Sequence, residues 1–222
     1  LLFFIIFVKK IINQTMLSKY QVHINDCITK KEYIYTNNHE EMVASYRREK
    51  AIVSDYNGRQ IMELIQNCDD QESDKVLIEL NTGNRTISIS NRGKAFDESG
   101  YSSLFVDNLS PKMNKKQFIG NKGLGFRSIL NWADQIKVIS NDIALIYSED
   151  SAKRKFDELF DITAKETLWT KYSNKKEVAL IPILAFPEVQ YEQVRSEYVT
   201  TIEITYKEEY LDDIETQINC LD

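Results

Sequence analysis

Three polar side chains, Glu63, Asn67 and Asp70, have the spacing i, i+4 and i+7 of a predicted helix. At 3.6 residues per turn they project from one face, within about 60° of each other. A carboxylate, a carboxamide and a second carboxylate in register could hold a hydrated metal ion, polarise a water and bind a polar ligand. The opposite face is apolar and is expected to be buried; it consists of Ile61, Leu64, Ile65 and Cys68.

A glycine-rich segment precedes a helix predicted over residues 126–132. Gly120, Gly123 and Gly125 would let backbone amides approach an anion at the positive end of that helix. The segment is not a P-loop, because no Gly-Lys-Ser/Thr closes it, and a G-x-x-G-x-G spacing after a loop is not the Rossmann order. The alternative is that the glycines serve only the turn into the helix.

The segment Asn91-Arg92-Gly93-Lys94-Ala95-Phe96 follows a predicted strand. Asn91 offers a carboxamide at the strand's end, and Gly93 would let the backbone run close beside a flat ligand. Taken alone the segment is a weak signal, because any exit from a strand into a loop can have this composition.

Composition and charge exclude several classes of function. The chain has 222 residues, of which 42% are hydrophobic and 28% charged, as is ordinary for a globular protein. A formal net charge of −6 argues against a broad surface for nucleic acid. The three cysteines, Cys27, Cys68 and Cys220, are far apart and have neither disulfide nor zinc spacing, which indicates a reducing cytoplasm.

The chain begins with an apolar run, Leu1 to Val8, followed by Lys9 and Lys10. This run is shorter than the roughly 20 residues that span a bilayer, and no cleavage site follows it. We predict that residues 1–15 are a leader or fragment edge outside the fold, with the start near Met16. A membrane-associated N-terminus is the alternative.

The pattern along the chain predicts an α+β protein with a two-layer sandwich. The sheet is expected to be mixed but mostly antiparallel, with helices on one face, because the strands do not alternate regularly with helices. In one strand Ile87 and Ile89 face one side while Ser88 and Ser90 face the other, so one face is covered. Residues 161–178 show no clear pattern. Helices are predicted over 39–55, 59–68, 126–132, 151–160 and 208–219, a short helix and loop over 97–118, and strands over 75–81, 85–91, 135–140, 143–148, 178–184 and 198–206.

The three motif segments, in this order, resemble the ATP-binding boxes of the GHKL superfamily, which joins the ninety-kilodalton heat-shock chaperone, DNA gyrase, the MutL ATPases and sensor histidine kinases. The resemblance is closest to the sacsin-like branch, whose helix typically reads E-L-I-Q-N-A-D-D-A, and covers about residues 50–205. It implies the Bergerat fold. It also divides the chain into a helical extension (16–48), an ATP-binding domain (49–206) and the start of a truncated following helix (207–222).

The resemblance implies a role for each residue of the first two boxes. Glu63 matches the general base, Asn67 the ligand of Mg²⁺, and Asp70 a position lining the nucleotide pocket. Asn91 stands where most members have an Asp that reads adenine, and a carboxamide oxygen accepts that hydrogen bond more weakly than a carboxylate. The remaining matches in the second box are Gly93 and Phe96, while Ala95 replaces a second glycine.

The resemblance also implies a lid and a phosphate cradle. Asn108, Leu109 and Lys112 lie where the family places the lid. The third box, Gly120, Gly123, Leu124, Gly125 and Phe126, matches the segment whose glycine amides cradle the phosphates. Thr201 resembles a late threonine whose hydroxyl supports adenine through water, although the usual preceding glycine is replaced here.

The function that these matches imply is Mg²⁺-dependent ATP binding with slow hydrolysis coupled to lid closure. Glu63 favours an ATPase, because histidine kinases carry a non-acidic residue at this position. Arg59, one turn earlier, either orients that carboxylate and lowers its pKa or is a solvated charge. The alternatives are a nucleotide sensor without hydrolysis, a kinase-type domain and a structural scaffold.

The expected cofactors are ATP and Mg²⁺. A basic residue from a following domain completes the site in the family's ATPases, so turnover by the isolated chain should be slow or absent. The expected partner is a downstream domain or a protein client, and a nucleotide-dependent dimer stays open. Neither nucleic acid nor a membrane is expected as a partner.

Overall fold

The computed structural model describes residues 2–55, 58–105, 124–173, 175–194 and 197–221, and the side chains of 19–53, 58–105, 126–173, 175–194 and 197–221. It is an α+β structure built on a six-stranded sheet. The helices are α1 (Leu2–Asn37), α2 (His39–Asp55), α3 (Gln60–Asp70), α4 (Glu98–Phe105), α5 (Leu124–Ser128), α6 (Glu149–Leu159), α7 (Ile162–Tyr172) and α8 (Leu211–Asn219), with short 3-10 turns at Ile129–Asn131, Ile183–Ala185 and Glu208–Tyr210. The strands are β1 (Val76–Asn81), β2 (Thr86–Asn91), β3 (Ala133–Ser140), β4 (Ile143–Ser148), β5 (Glu188–Tyr191) and β6 (Thr200–Tyr206).

The strands lie in the order β1-β2-β6-β3-β4-β5, and every neighbouring pair is antiparallel. The two predicted hairpins, β1–β2 and β3–β4, are present. Strand β6 inserts between them, so the last strand lies near the middle of the sheet. The prediction of a mixed sheet is corrected, since the described strands pair only in the antiparallel sense.

One face of the sheet forms the main core. Side chains two residues apart along each central strand are buried against α1, α3, α4 and α8; on the strands they include Ile87, Ile89, Ile136, Val138, Leu145, Tyr147, Ile202 and Ile204. The prediction that Ile87 and Ile89 face a covered side is therefore confirmed. The serines between and after them are also buried, Ser88 at 8% and Ser90 at 0% exposure. The second face of β2 is thus screened from water as well.

A second apolar cluster joins α1 and α2 to the chain that follows the β3–β4 hairpin. It contains Tyr35, Met42 and Val43 from the first two helices and Phe156 and Leu168 from α6 and α7. Helix α2 thus shares one apolar cluster with α6 and α7. Helix α1 begins at Leu2.

Helix α8 packs on α3 through a polar contact in the core. The side-chain amide of Gln217 donates to Gln60 Oε1 at 2.8 Å, and its oxygen accepts from the backbone N–H of Ile61 at 3.2 Å. Ile214 is fully buried in the main core. The helix predicted over 208–219 is confirmed. In the structure this helix packs on the beginning of α3.

The predicted strand over 178–184 is wrong. Pro182 has no backbone N–H for a strand ladder. The amides of Ile183 and Leu184 are bound instead by the buried carboxylate of Glu49 in α2, at 2.6 and 3.2 Å. The segment therefore ends in a 3-10 turn and not in a sheet, because its backbone N–H groups donate to the side chain of Glu49 from a distant helix.

The stretch that showed no pattern, residues 161–178, contains α7. Asp161 caps this helix by accepting from the backbone N–H of Ala164 at 2.8 Å. Only Leu168 of the helix is buried, so its apolar period is too weak to read from the sequence.

In the part of the chain whose placement is described, no helix is long and apolar enough to cross a membrane.

Buried tyrosines make the fold sensitive to alkaline pH. Burial raises the pKa of Tyr101 to about 12, and burial also raises the pKa of Tyr147. The neutral phenol is thus favoured in the folded state, so its contribution to stability is complete below pH 10 and is lost as the pH rises through 12. We expect urea unfolding to show a loss of about 3 kcal/mol from Tyr101 over this window. Tyr101→Phe should remove the part of this pH dependence that comes from Tyr101 and keep the part that comes from Tyr147. An unchanged slope would contradict the assignment to Tyr101.

Candidate functional site

Helix α3 presents the polar face that the spacing predicts. Ile61, Leu64 and Cys68 are buried on one side, whereas Glu63 and Asn67 are half-buried on the other. Asp70 is exposed at the helix's last turn. The helix is therefore amphipathic, and its polar side chains lie at the boundary between core and solvent, where a ligand can reach them.

The side chains of Glu63 and Asn67 have no hydrogen bond or ion pair with any other described residue. The backbone N–H of Glu63 donates to Arg59 O at 3.0 Å. Arg59 itself is exposed at the N-cap position of α3, where its side chain makes no capping bond. The structure therefore does not pair Arg59 with Glu63, and of its two interpretations the solvated charge agrees better with this geometry.

Strand β2 brings Asn91 underneath α3. The side chain of Asn91 lies on the same face as Ile87 and Ile89, because side chains alternate along a strand. It is 5% exposed and lies close to the thiol of Cys68, whose pKa is raised chiefly by burial. Cys68 is the neighbour of Asn67 in the chain. The second motif therefore meets the first at the C-terminal half of α3.

The loops that follow α3 and β2 are bonded directly to each other. The backbone N–H of Lys94 donates to Gln71 O at 2.8 Å, and that of Arg92 donates to Ser73 Oγ at 3.1 Å. The Arg92 guanidinium also binds the Asp74 carboxylate through two bonds of 2.8 and 2.7 Å, which lowers the pKa of that carboxyl group. These contacts hold the two motifs in a fixed relation.

Gly93 allows the closest of these approaches. A Cβ at this position would lie 2.2 Å from Gln71 O and 2.9 Å from Ser73 N, both of them backbone atoms. The sequence led us to expect a glycine that makes room for a flat ligand. In the structure, the backbone of the loop after α3 occupies that room.

The sheet end beside Asn91 carries two hydroxyl side chains that the sequence reasoning missed. Thr200 is the cross-strand neighbour of Asn91, and Ser140 is the neighbour of Thr200 on the next strand. Their hydroxyls lie 2.9 Å apart, and both residues are buried. The three side chains form a polar row on the face of the sheet that the helices cover.

Phe96 is anchored to the same row. Its backbone N–H donates to Ser140 Oγ at 3.0 Å, and its carbonyl accepts from Asn141 Nδ2 at 2.7 Å. Its ring packs edge-on against Tyr101, with centroids 5.5 Å apart. The structure thus gives this predicted site residue a packing role, which ties the loop after β2 to α4.

Thr201 lies on the face of the sheet opposite Asn91. Thr201 pairs with Ser90, and the two hydroxyls lie 2.8 Å apart on the face opposite Asn91. Ile202 and Ile204 are in the main core with Ile87 and Ile89. Since side chains alternate along β6, Thr200 lies on the same face as Asn91, and Thr201 lies on the opposite face. The alternation of Thr200-Thr201-Ile202-Glu203-Ile204 was the signal that could have identified Thr200.

The third motif lies only partly within the described residues. Gly120 and Gly123, and the predicted lid residues Asn108, Leu109 and Lys112, are outside them. Leu124 and Gly125 begin α5, which packs against α2 and α3. Phe126 is half-buried against the main core and Arg127 is buried. The chain therefore leaves the glycine segment beside the helix that carries Glu63.

The donor set indicates how a metal ion would be bound. The described part of the chain holds no group of three or more His, Cys, Asp or Glu side chains that could enclose a metal ion. Its three cysteines are all free. A hard cation at α3 would thus depend on few protein ligands, with water or a ligand supplying the others.

Comparison with protein-family models and with curated proteins finds no match for this chain.

Proposed function

We propose that this chain is an ATP-binding domain of the GHKL type, close to the sacsin-like branch, that binds Mg²⁺-ATP and hydrolyses it slowly. The hydrogen bond from Lys94 N–H to Gln71 O carries this proposal, because it joins the segment after β2 to the end of the polar helix α3. The antiparallel sheet with helices packed on one face supports the Bergerat fold as part of the same proposal.

Glu63 is proposed as the general base. Its carboxylate is half-buried and has no basic partner among the described residues, so no ion pair competes with a water molecule for its oxygens. A carboxylate that accepts a proton from an attacking water contributes typically 10²- to 10⁴-fold to a rate. Asp70, one face position further along, would contact the sugar or phosphates.

Asn67 is proposed to hold the magnesium ion through its side-chain oxygen. Its carboxamide makes no hydrogen bond with another described residue, so the oxygen is available, and one protein ligand suits a cation that keeps several waters. Bound magnesium would supply neutralisation of the phosphate charge. Asn67 lies one helical turn after Glu63, so the metal ligand and the base share one face.

The lid is proposed for the segment that contains Asn108, Leu109 and Lys112. The phosphate cradle is proposed for the segment that contains Gly120, Gly123 and Gly125. Backbone amides at a helix N-terminus bind anions well. The packing of α5 against α3 supports this assignment, since α5 starts directly after Gly123. Lid closure over nucleotide would exclude water and complete the site.

The proposal is tested by titration calorimetry with Mg²⁺-ATP on the full chain. We expect the wild type to bind, and we expect Asn67→Ala to weaken Mg²⁺-ATP by about tenfold, because a ligand to a charged group is lost. Nucleotide added with a chelator should bind both proteins similarly. Gln66→Ala, an exposed neighbour on the same helix, is the control and should bind like the wild type.

Two results would contradict the proposal. If the wild type shows neither heat nor a thermal shift with Mg²⁺-ATP, the proposal falls and the result favours a structural scaffold. If Asn67→Ala and Gln66→Ala have equal affinities with and without the chelator, Asn67 is not a metal ligand.

A further inference from the structure

Strand β1 is at one end of the sheet, and no other described strand pairs with its outer edge. The backbone N–H of Arg92 donates to Lys75 O, so residues 75 and 92 are a hydrogen-bonded pair of the antiparallel ladder between β1 and β2. Such pairs alternate along a ladder with pairs that are not hydrogen-bonded. Every second residue of β1 therefore directs its backbone N–H and C=O groups away from β2; these residues are Val76, Ile78 and Leu80.

The side chains of these three residues form the border of the main core. They lie on the helix-covered face with Ile87 and Ile89 of β2, because residues directly opposite each other share a face. Ile87 and Ile89 are at most 1% exposed, whereas Val76, Ile78 and Leu80 are only partly buried against the same core. An apolar strip thus runs along the outer edge of β1, where the next strand of a sheet would lie.

Strand β1 lacks the features that usually protect the edge of a sheet. Proline, lysine, β-bulges or a covering element prevent such an edge from pairing with another chain. Val76–Asn81 contains neither proline nor lysine, and its register with β2 is regular from end to end. Among the described elements, β2 is the one that packs extensively against β1. The edge can therefore accept a further strand.

We propose that β1 pairs in the antiparallel sense with β1 of a second copy of this chain, with Ile78 opposite Ile78 of the copy. In this register Val76 lies opposite Leu80 of the copy, and the reverse pair also forms. All three outward-facing residues then make hydrogen-bonded pairs, with about six backbone bonds in total. The side chains that meet on the helix-covered face are all apolar.

The neighbouring registers are less favourable. A register centred on Glu79 would place two carboxylates directly opposite each other, which is destabilising. A register centred on Leu77 would pair Lys75 with Glu79 of the copy, but exposed ion pairs contribute little, and fewer backbone bonds would form within the strand. The strand is thus complementary to itself about Ile78. This self-complementarity favours a second copy over a different protein as the partner.

The dimer is expected to be weak, because the pairing of one edge strand buries less surface than a standard protein interface. It does not depend on the proposed nucleotide site. Sedimentation equilibrium of the full chain without nucleotide should therefore show a monomer–dimer equilibrium that shifts toward dimer as the protein concentration rises.

A pair of proline variants tests which edge forms the contact. Ile78→Pro removes an outward N–H and no bond to β2, a position at which edge strands tolerate proline, and should weaken dimerisation by about tenfold or more. Tyr191→Pro is the matched control on β5, at the other end of the sheet. The next residue, Glu192, donates its backbone N–H to Asp142 O, so the N–H of Tyr191 also points outward. This control should dimerise like the wild type.

Hydrogen exchange of the wild type tests the same contact without a substitution. The amides of Val76, Ile78 and Leu80 should become more protected as the protein concentration rises, whereas those of Leu77 and Glu79, already bonded to β2, should change less. A chain that stays monomeric at all concentrations would overturn the proposal. Equal weakening by the two proline variants, or added protection only outside β1, would also overturn it. If Ile78→Pro does not fold, the exchange of the wild type decides.

Discussion

Gly93→Ala is expected to lower the free energy of unfolding by about 3 kcal/mol, at the upper end of the range for overpacking. The added methyl group would stand 2.2 Å from the carbonyl oxygen of Gln71. No side chain can turn aside to relieve this contact, since the obstructing atoms belong to the backbone of the loop after α3. That loop is itself bonded to the loop of Gly93, through Lys94 N–H to Gln71 O.

Urea unfolding of Gly93→Ala and Gly83→Ala provides a matched comparison. Gly83 lies in the β1–β2 turn, where a Cβ would meet only Asn81 Oδ1, at 3.4 Å. Gly83→Ala should therefore stay within about 0.5 kcal/mol of the wild type. Equal stabilities for the two variants would show that the two motif loops do not approach as closely as the structure places them.

The Gly93 result also bears on ligand binding. Asn91 Oδ1 is held by the backbone N–H of Gly93, so a displaced loop would release the carboxamide. We therefore expect Gly93→Ala to weaken nucleotide binding even at temperatures where it is folded. The glycine has a structural role in joining two motifs, and any effect on ligand follows from that role.

Glu63→Gln is expected to reduce ATP hydrolysis by about 10²-fold or more while leaving the ATP dissociation constant nearly unchanged. The carboxamide keeps the size of the carboxylate but cannot take a proton from water. Because the described residues give Glu63 no ionic partner, its neutralisation should not disturb the fold. Single-turnover hydrolysis at high protein concentration is the appropriate measurement, since the proposed hydrolysis is slow.

Asp69→Asn is the control for this experiment. Asp69 lies on the same helix and is exposed, away from the face of Glu63 and Asn67. It should hydrolyse ATP like the wild type. If Glu63→Gln hydrolyses ATP as fast as Asp69→Asn, the catalytic role of Glu63 is wrong. If the wild type binds ATP without hydrolysing it, the domain is a nucleotide sensor.

Thr200 and Thr201 lie on opposite faces of the sheet. Resemblance pointed to Thr201, but the strand period places Thr200 on the face of Asn91. A shift of one residue along a strand moves a side chain to the opposite face. The buried positions of Ile202 and Ile204 determine which face of β6 carries Thr200.

Local patterns in the sequence determine many of the helices and strands of this protein. The apolar face of α3, the two hairpins and helices α2, α6 and α8 follow from periodicity and turn residues, which act between neighbours in the chain. The same patterns identified Glu63, Asn67 and Asn91 by type and spacing. Their suggested roles in ATP chemistry remain proposals.

Only the tertiary structure decided the features that depend on distant partners. The carboxylate of Glu49 accepts from the backbone N–H groups of residues 183–184, which form a 3-10 turn where a strand was predicted. The side chain of Gln217 holds α8 against α3 by hydrogen bonds. The insertion of β6 between the hairpins placed Thr200 beside Asn91. Such contacts join residues far apart in the chain, and their bonds override local preference because a buried polar group must find a partner wherever the fold provides one.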